Sequence, residues 1–173
     1  MSIRGLDISA YRCIHKAPPD WGAEDSKMNA YTVLVSDGVL DWVNKEFPGR
    51  AEGIKAGLYT QGQDSLNFRA GSYGDYNRWR EWLAKVAGWK DIQEAWAKDA
   101  DPRQHGAFFE LINFADNEGV IGPVCAKKLA LDFSLNRQRA MSMSNDAGAD
   151  MDLYDLFHMA FKLASAGGFV QFH

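Results

Sequence analysis

The chain has little of what usually announces a reaction. Of its 173 residues two are cysteine and four are histidine. Cys13 and Cys125 lie far apart, with no secretion signal ahead of them, so they are expected as reduced thiols rather than a disulfide. His15, His105, His158 and His173 never form a His-x-x-x-His pair, and Cys13-x-His15 is the one close pair of soft or borderline ligands, so no metal site is expected. Gly-x-Ser-x-Gly elbows, Walker loops and Rossmann fingerprints are absent, and no cofactor is expected. No apolar run approaches the roughly 18 residues of a membrane span, and Met1 to Asp7 carries no stretch of signal-peptide length. A cytoplasmic protein without a membrane partner is the expectation. Positive charge is also short: 19 Lys and Arg face 23 Asp and Glu, for a net charge of −4, which disfavours a nucleic-acid partner.

What the chain does have is aromatic side chains, with ten Phe, six Trp and six Tyr. That content excludes disorder and implies well-packed elements with polar handles. A chain of this length forms one domain, here residues 1–173.

The patterning reads as α+β: a small antiparallel sheet, drawn from the first half and the C-terminal tail, packed against about three main helices. Ile3 to Ile8 and Ala30 to Val35 suit strands, separated by the Pro18-Pro19-Asp20-Trp21-Gly22 break. Val39 to Val43 suits a short helix before Phe47-Pro48-Gly49. Ile54 to Thr60 and Ser65 to Ala70 flank Gln61-Gly62-Gln63-Asp64, which predicts a hairpin. From Ser72 the period changes. Ser72 as N-cap, Asp75 three residues on, and Tyr73, Tyr76, Trp79, Leu83 and Val86 at three- and four-residue steps predict a helix that stops near Gly88. Asp91 to Lys98 adds a turn or two before the Asp101-Pro102 break, and Ala107 to Phe114 fits a short buried helix. Gly122-Pro123 opens another helix, expected to run to about Arg139. Met141 to Ala149 is expected as a flexible loop. Asp150, Asp152 and Asp155 favour the start of a last helix, ended by Gly167-Gly168 before a strand at Phe169 to Phe172.

Two segments hold the candidate functional residues. In Phe114 to Pro123, Asp116 and Glu118 sit before a helix start, where carboxylates and free backbone N–H groups could hold a ligand or activate water. The plainer reading is capping and dipole chemistry, and it is favoured because acids are common there. In Phe68 to Arg80, the residues Arg69, Tyr73, Tyr76, Arg78, Trp79 and Arg80 could frame a cation–π binding slot. The plainer reading, also favoured, puts Tyr73, Tyr76, Trp79 and Leu83 in the core with Arg78 and Arg80 in solvent. Four aromatic residues, Tyr73, Tyr76, Trp79 and Trp82, are too many for one narrow face, so at least one should reach the surface or a crevice. Cys125 just inside a helix start would have a lowered thiol pKa and could act as a nucleophile with a histidine and Asp116, although a small core cysteine is the favoured reading.

The motifs Phe68-Arg69-Ala70-Gly71-Ser72-Tyr73-Gly74-Asp75-Tyr76-Asn77-Arg78-Trp79-Arg80 and Phe109-Glu110-Leu111-Ile112-Asn113-Phe114-Ala115-Asp116-Asn117-Glu118-Gly119-Val120-Ile121-Gly122-Pro123, with the ending Phe172-His173, resemble a widespread group of small bacterial and phage-borne proteins of uncharacterised activity. The resemblance implies a bacterial or mobile-element setting and carries no activity with it. The leading expectation is a binding module for a protein partner or small ligand, acting through an aromatic and acidic surface without chemistry of its own. The alternatives are a small hydrolase using Asp116 and Glu118 with a histidine, or Cys125 as nucleophile, and a structural subunit of a larger assembly.

Overall fold

A computed structural model describes residues 4–12, 15–16, 32–60, 64–99, 105–144 and 148–173. Cys13, the Pro18 to Gly22 break, Gln61 to Gln63, the Asp101-Pro102 break and residues 145–147 of the expected loop lie outside that set.

The architecture is α+β, with every strand pair antiparallel. Strand β1 (Gly5–Tyr11) alternates: Leu6, Ile8 and Ala10 are buried on one face, while Asp7 and Ser9 point to the other. It lies between β5 (Ser65–Ser72) and β7 (Phe169–Phe172), and β6 (Gly119–Ile121) closes the order β5-β1-β7-β6. A second sheet joins β2 (His15–Lys16), β4 (Gly57–Thr60) and β3 (Thr32–Val35) in the order β2-β4-β3. The expected hairpin is therefore wrong. β4 pairs with β3 through Val33↔Tyr59, and β5 pairs with β1 through Ile8↔Phe68. Alternation shows that a strand will pair; its partner is chosen by burial across the molecule. Tyr59 packs its ring on Phe169 at 6.1 Å, whereas Phe68 meets Phe157 at 5.2 Å.

Seven helices follow their sequence signals with local exceptions among the described residues. They are α1 (Asp37–Glu46), α2 (Tyr73–Val86), α3 (Ile92–Trp96), α4 (Phe109–Ile112), α5 (Pro123–Leu135), α6 (Arg137–Met143) and α7 (Ala149–Ala164). The longest three, α2, α5 and α7, supply most of the helical core. On α7, Tyr154, Phe157, Ala160, Phe161 and Ala164 are buried, and Phe157 stacks on Trp79 at 5.0 Å. Helix α5 stops at Asn136, whose amide donates to the Asp132 carbonyl at 2.9 Å, so the expected run to Arg139 is split into α5 and α6. The expected loop at 141–149 is shorter than read. Met141 to Met143 are helical, Met143 accepts a hydrogen bond from the Trp82 indole at 3.0 Å, and Ala149 already opens α7. Between α4 and α5 lies β6, three buried residues paired with β7. No helix among the described residues is long and apolar enough to cross a membrane.

β7 can lie in the middle of its sheet because the chain ahead of it passes very close to β1. A Cβ on Gly168 would stand 1.7 Å from the Tyr11 carbonyl oxygen, an impossible contact with backbone. Gly168→Ala should cost more than about 3 kcal/mol or prevent folding, measured by urea unfolding. Gly38→Ala, in open space on α1, should stabilise by about 0.5 kcal/mol through helix propensity alone.

Candidate functional site

The two motif segments meet. Ser72 caps α2 by accepting from the Asp75 amide at 3.1 Å, and this start sets which side chains turn inward. Tyr76, Trp79, Arg80 and Leu83 are buried, Tyr73 and Trp82 are half-buried, and Arg78 is exposed beside Asp75. Arg80, expected in solvent, is only 3% exposed. Its guanidinium donates to the carbonyls of Ile112 at 3.1 Å and Phe114 at 2.7 Å, and to the Asn77 side-chain oxygen. It also lies over the rings of Tyr76 and Trp96, at 4.9 and 5.6 Å. The reason is the need of the α4 C-terminus for donors, which an isolated helical pattern cannot display. Arg80 therefore holds the interior together and is removed from the set of exposed contact residues. Tyr76 is buried with it, and desolvation pushes its hydroxyl up to about 12 despite the nearby Arg80.

Asp116 and Glu118 do not converge. The Asp116 carboxylate accepts from the Asn77 amide at 3.1 Å and lies 3.9 Å from Arg80. Glu118 instead stands at a cavity of about 190 Å³ bordered by Ser36, Val39, Gln171 and His173. Cys125 is buried on α5, and its thiol pKa is raised by desolvation and then by Glu110, opposite to the expected lowering. Loss of solvent around the thiolate outweighs the helix N-terminus. The histidines are dispersed: His105 packs on Phe109 at 4.4 Å, His158 stacks by Phe133 at 6.1 Å, and His173 bonds Ser9 through Nε2 at 2.9 Å. Desolvation holds His158 below the usual histidine range, and Lys162 adds to this. Among the described residues no group of three His, Cys, Asp or Glu is placed to hold a metal ion.

Arg69, Arg78 and Trp79 do share a surface. They line a groove of about 850 Å³ between β5, α2 and the start of α7. Trp82, Leu153 and Leu156 supply its apolar wall, and Glu81, Lys85 and Asp152 supply charge. Arg69 is paired with Asp7 at 3.3 Å, and Arg78 with Asp75. The indole N–H groups of Trp79 and Trp82 donate to the carbonyls of Asp150, at 3.1 Å, and Met143, at 3.0 Å, so both rings are held rigidly. Sequence reading missed Leu153 and Leu156, which look like core positions of α7 until the helix is docked. It also missed the Ser9–His173 pair, for which the alternation of β1 is the available signal.

Comparison with family models, with curated proteins and with solved structures finds no match for this chain.

Two outcomes follow from the buried groups. Arg80→Met leaves the Ile112 and Phe114 carbonyls without their donor and should cost about 3 kcal/mol in urea unfolding, against under about 1 kcal/mol for Asp116→Asn, whose carboxylate is half-exposed. In a Cys13→Ser background, native Cys125 should react with a disulfide thiol reagent at least about a hundredfold slower than in denaturant.

Proposed function

We propose that the chain is a binding module that takes an extended segment of a protein partner in the groove between β5, α2 and α7. The observation that carries this is the gathering of Arg69, Arg78 and Trp79 with Trp82, Leu153 and Leu156 on one groove. Its volume, about 850 Å³, is within the range of ligand sites, and its rigid tryptophans resemble the aromatic anchors of interaction hot spots. β5 is an outer strand of its sheet, so alternate backbone groups on one side of it lack a neighbouring strand among the described residues. With Arg69 and Arg78 already paired to acids, the charges left for a partner are Glu81 and Asp152 against Lys85. That balance favours a segment carrying a basic side chain beside an apolar one. The net charge of −4 argues against a nucleic-acid partner.

The dispersal of Asp116, Glu118 and Cys125 supports binding over hydrolysis, because acid, base and nucleophile need a common reacting atom. From the motif resemblance we extend the proposal to a cytoplasmic protein of a bacterium or mobile element.

The test is selection of a random peptide library on the intact chain, followed by amide and indole NMR. Enriched peptides should carry a basic and an apolar residue and shift the Trp79 and Trp82 indole signals. Glu81→Lys combined with Asp152→Lys should weaken them by at least about tenfold, while Asp116→Asn and Cys125→Ala leave them unchanged. Peptides bound equally well by the Glu81→Lys, Asp152→Lys variant would overturn the assignment.

A further inference from the structure

A second site lies away from the groove, where α1 packs over β6 and the end of β7. The pairing of Gly119 with Phe172 and of Val120 with Gln171 brings Glu118 and His173 to the same end of the sheet. The N-terminal turn of α1 closes over them and leaves the cavity of about 190 Å³. Val35, Val39, Val120 and Phe172 form apolar walls. The polar groups are few. Ser36 Oγ accepts from the Val39 amide at 3.2 Å, which leaves its hydroxyl proton to donate elsewhere. His173 uses Nε2 on Ser9, which leaves Nδ1. Among the described residues Glu118 and Gln171 have no side-chain hydrogen bond or ion pair, and no Lys or Arg borders the space. Glu118 is thus the one carboxylate side chain at the cavity, with no Lys or Arg among the described lining residues to offset it.

We infer that this cavity binds a small primary ammonium compound with a short alkyl body. Water occupies about 30 Å³ in the liquid, so the space corresponds to about six waters and admits a molecule of only a few non-hydrogen atoms. The carboxylate of Glu118 selects a cation, and the Gln171 carboxamide oxygen supplies a second acceptor for its N–H groups. The valine and phenylalanine walls favour an alkyl body over a second polar group. An anion would face Glu118, and none of the described residues bordering the cavity is a Lys or Arg, which separates this site from an anion site at the α1 N-terminus. The site is independent of the peptide groove, so either assignment can fail without the other.

Isobutylamine is the probe, with isobutanol and isobutyrate as neutral and anionic isosteres, titrated at pH 7.5 into the intact chain and followed by amide NMR. Saturable shifts at Val120, Gln171 and His173 are expected with the amine, and binding of isobutyrate should be at least about tenfold weaker. Glu118→Gln, an exposed substitution, should weaken the amine by about tenfold, leave isobutanol unchanged and leave the melting temperature unchanged. Val39→Phe, which fills the space, should abolish the amine shifts. Equal binding of isobutyrate, amine binding indifferent to Glu118→Gln, or shifts that never saturate would each overturn the inference.

Discussion

Two buried guanidinium groups hold the short helix α4 and the turn after it. Arg50, fully buried, donates through Nε to the Glu110 carbonyl at 3.2 Å and through a terminal nitrogen to the Asn113 carbonyl at 2.7 Å. Arg80 takes the carbonyls of Ile112 and Phe114 from the other side. A helix of four residues leaves most of its carbonyls without intrahelical partners, and here those groups are inside the molecule. A buried orphan carbonyl is costly, and a donor that is itself charged is among the stronger ways to satisfy it. The charges are in turn sheltered by ring faces, Phe47 and Phe109 over Arg50, Tyr76 and Trp96 over Arg80. The negative end of the helix completes the compensation.

Much of the molecule is positioned through this clamp. Phe108 enters α4 with a positive φ of 59°, its amide donating to Asp132 at 3.0 Å, and Lys128 bridges Asp132 to Glu110 with contacts of 2.7 Å to each. Helix α5 is thereby tied to α4. On the other side, Phe114 leads into β6, and its ring packs on Phe172 at 5.0 Å. Asp116 and Glu118 are consequently delivered to different places, the first to the Arg80 network and the second to the cavity rim. Residues that look reactive in one dimension are spent on architecture: Arg80 on carbonyls, Asp116 on Arg80 and Asn77, Cys125 on the interior of α5.

The elements legible in the sequence are those whose signals are local. The start of α2 follows from Ser72 and Asp75, the start of α5 from Pro123, and the start of α7 from Asp150 and Asp152, because caps and charges in a first turn act on near neighbours. The same locality explains the failures. β6 is three residues long, too short for alternation to show, and the break at Asn136 follows from a side chain turning back on its own helix. The crowding of Tyr73, Tyr76, Trp79 and Trp82 was readable as more aromatics than one face could bury, and Tyr73 and Trp82 are the two left half-buried.

Composition and spacing by themselves determined an aromatic, net-acidic α+β chain, its principal helices and the strands β1, β3 and β7. Only the tertiary structure decided that β4 and β5 belong to different sheets, that Arg80 is buried while Arg78 is not, and that Arg69 and Trp79 share a groove with α7. The physical reason is that backbone period and capping are energies between residues a few positions apart. Strand partnership, charge burial and cavity shape arise between residues that meet only once the chain has folded, and neither a motif nor a count contains those distances.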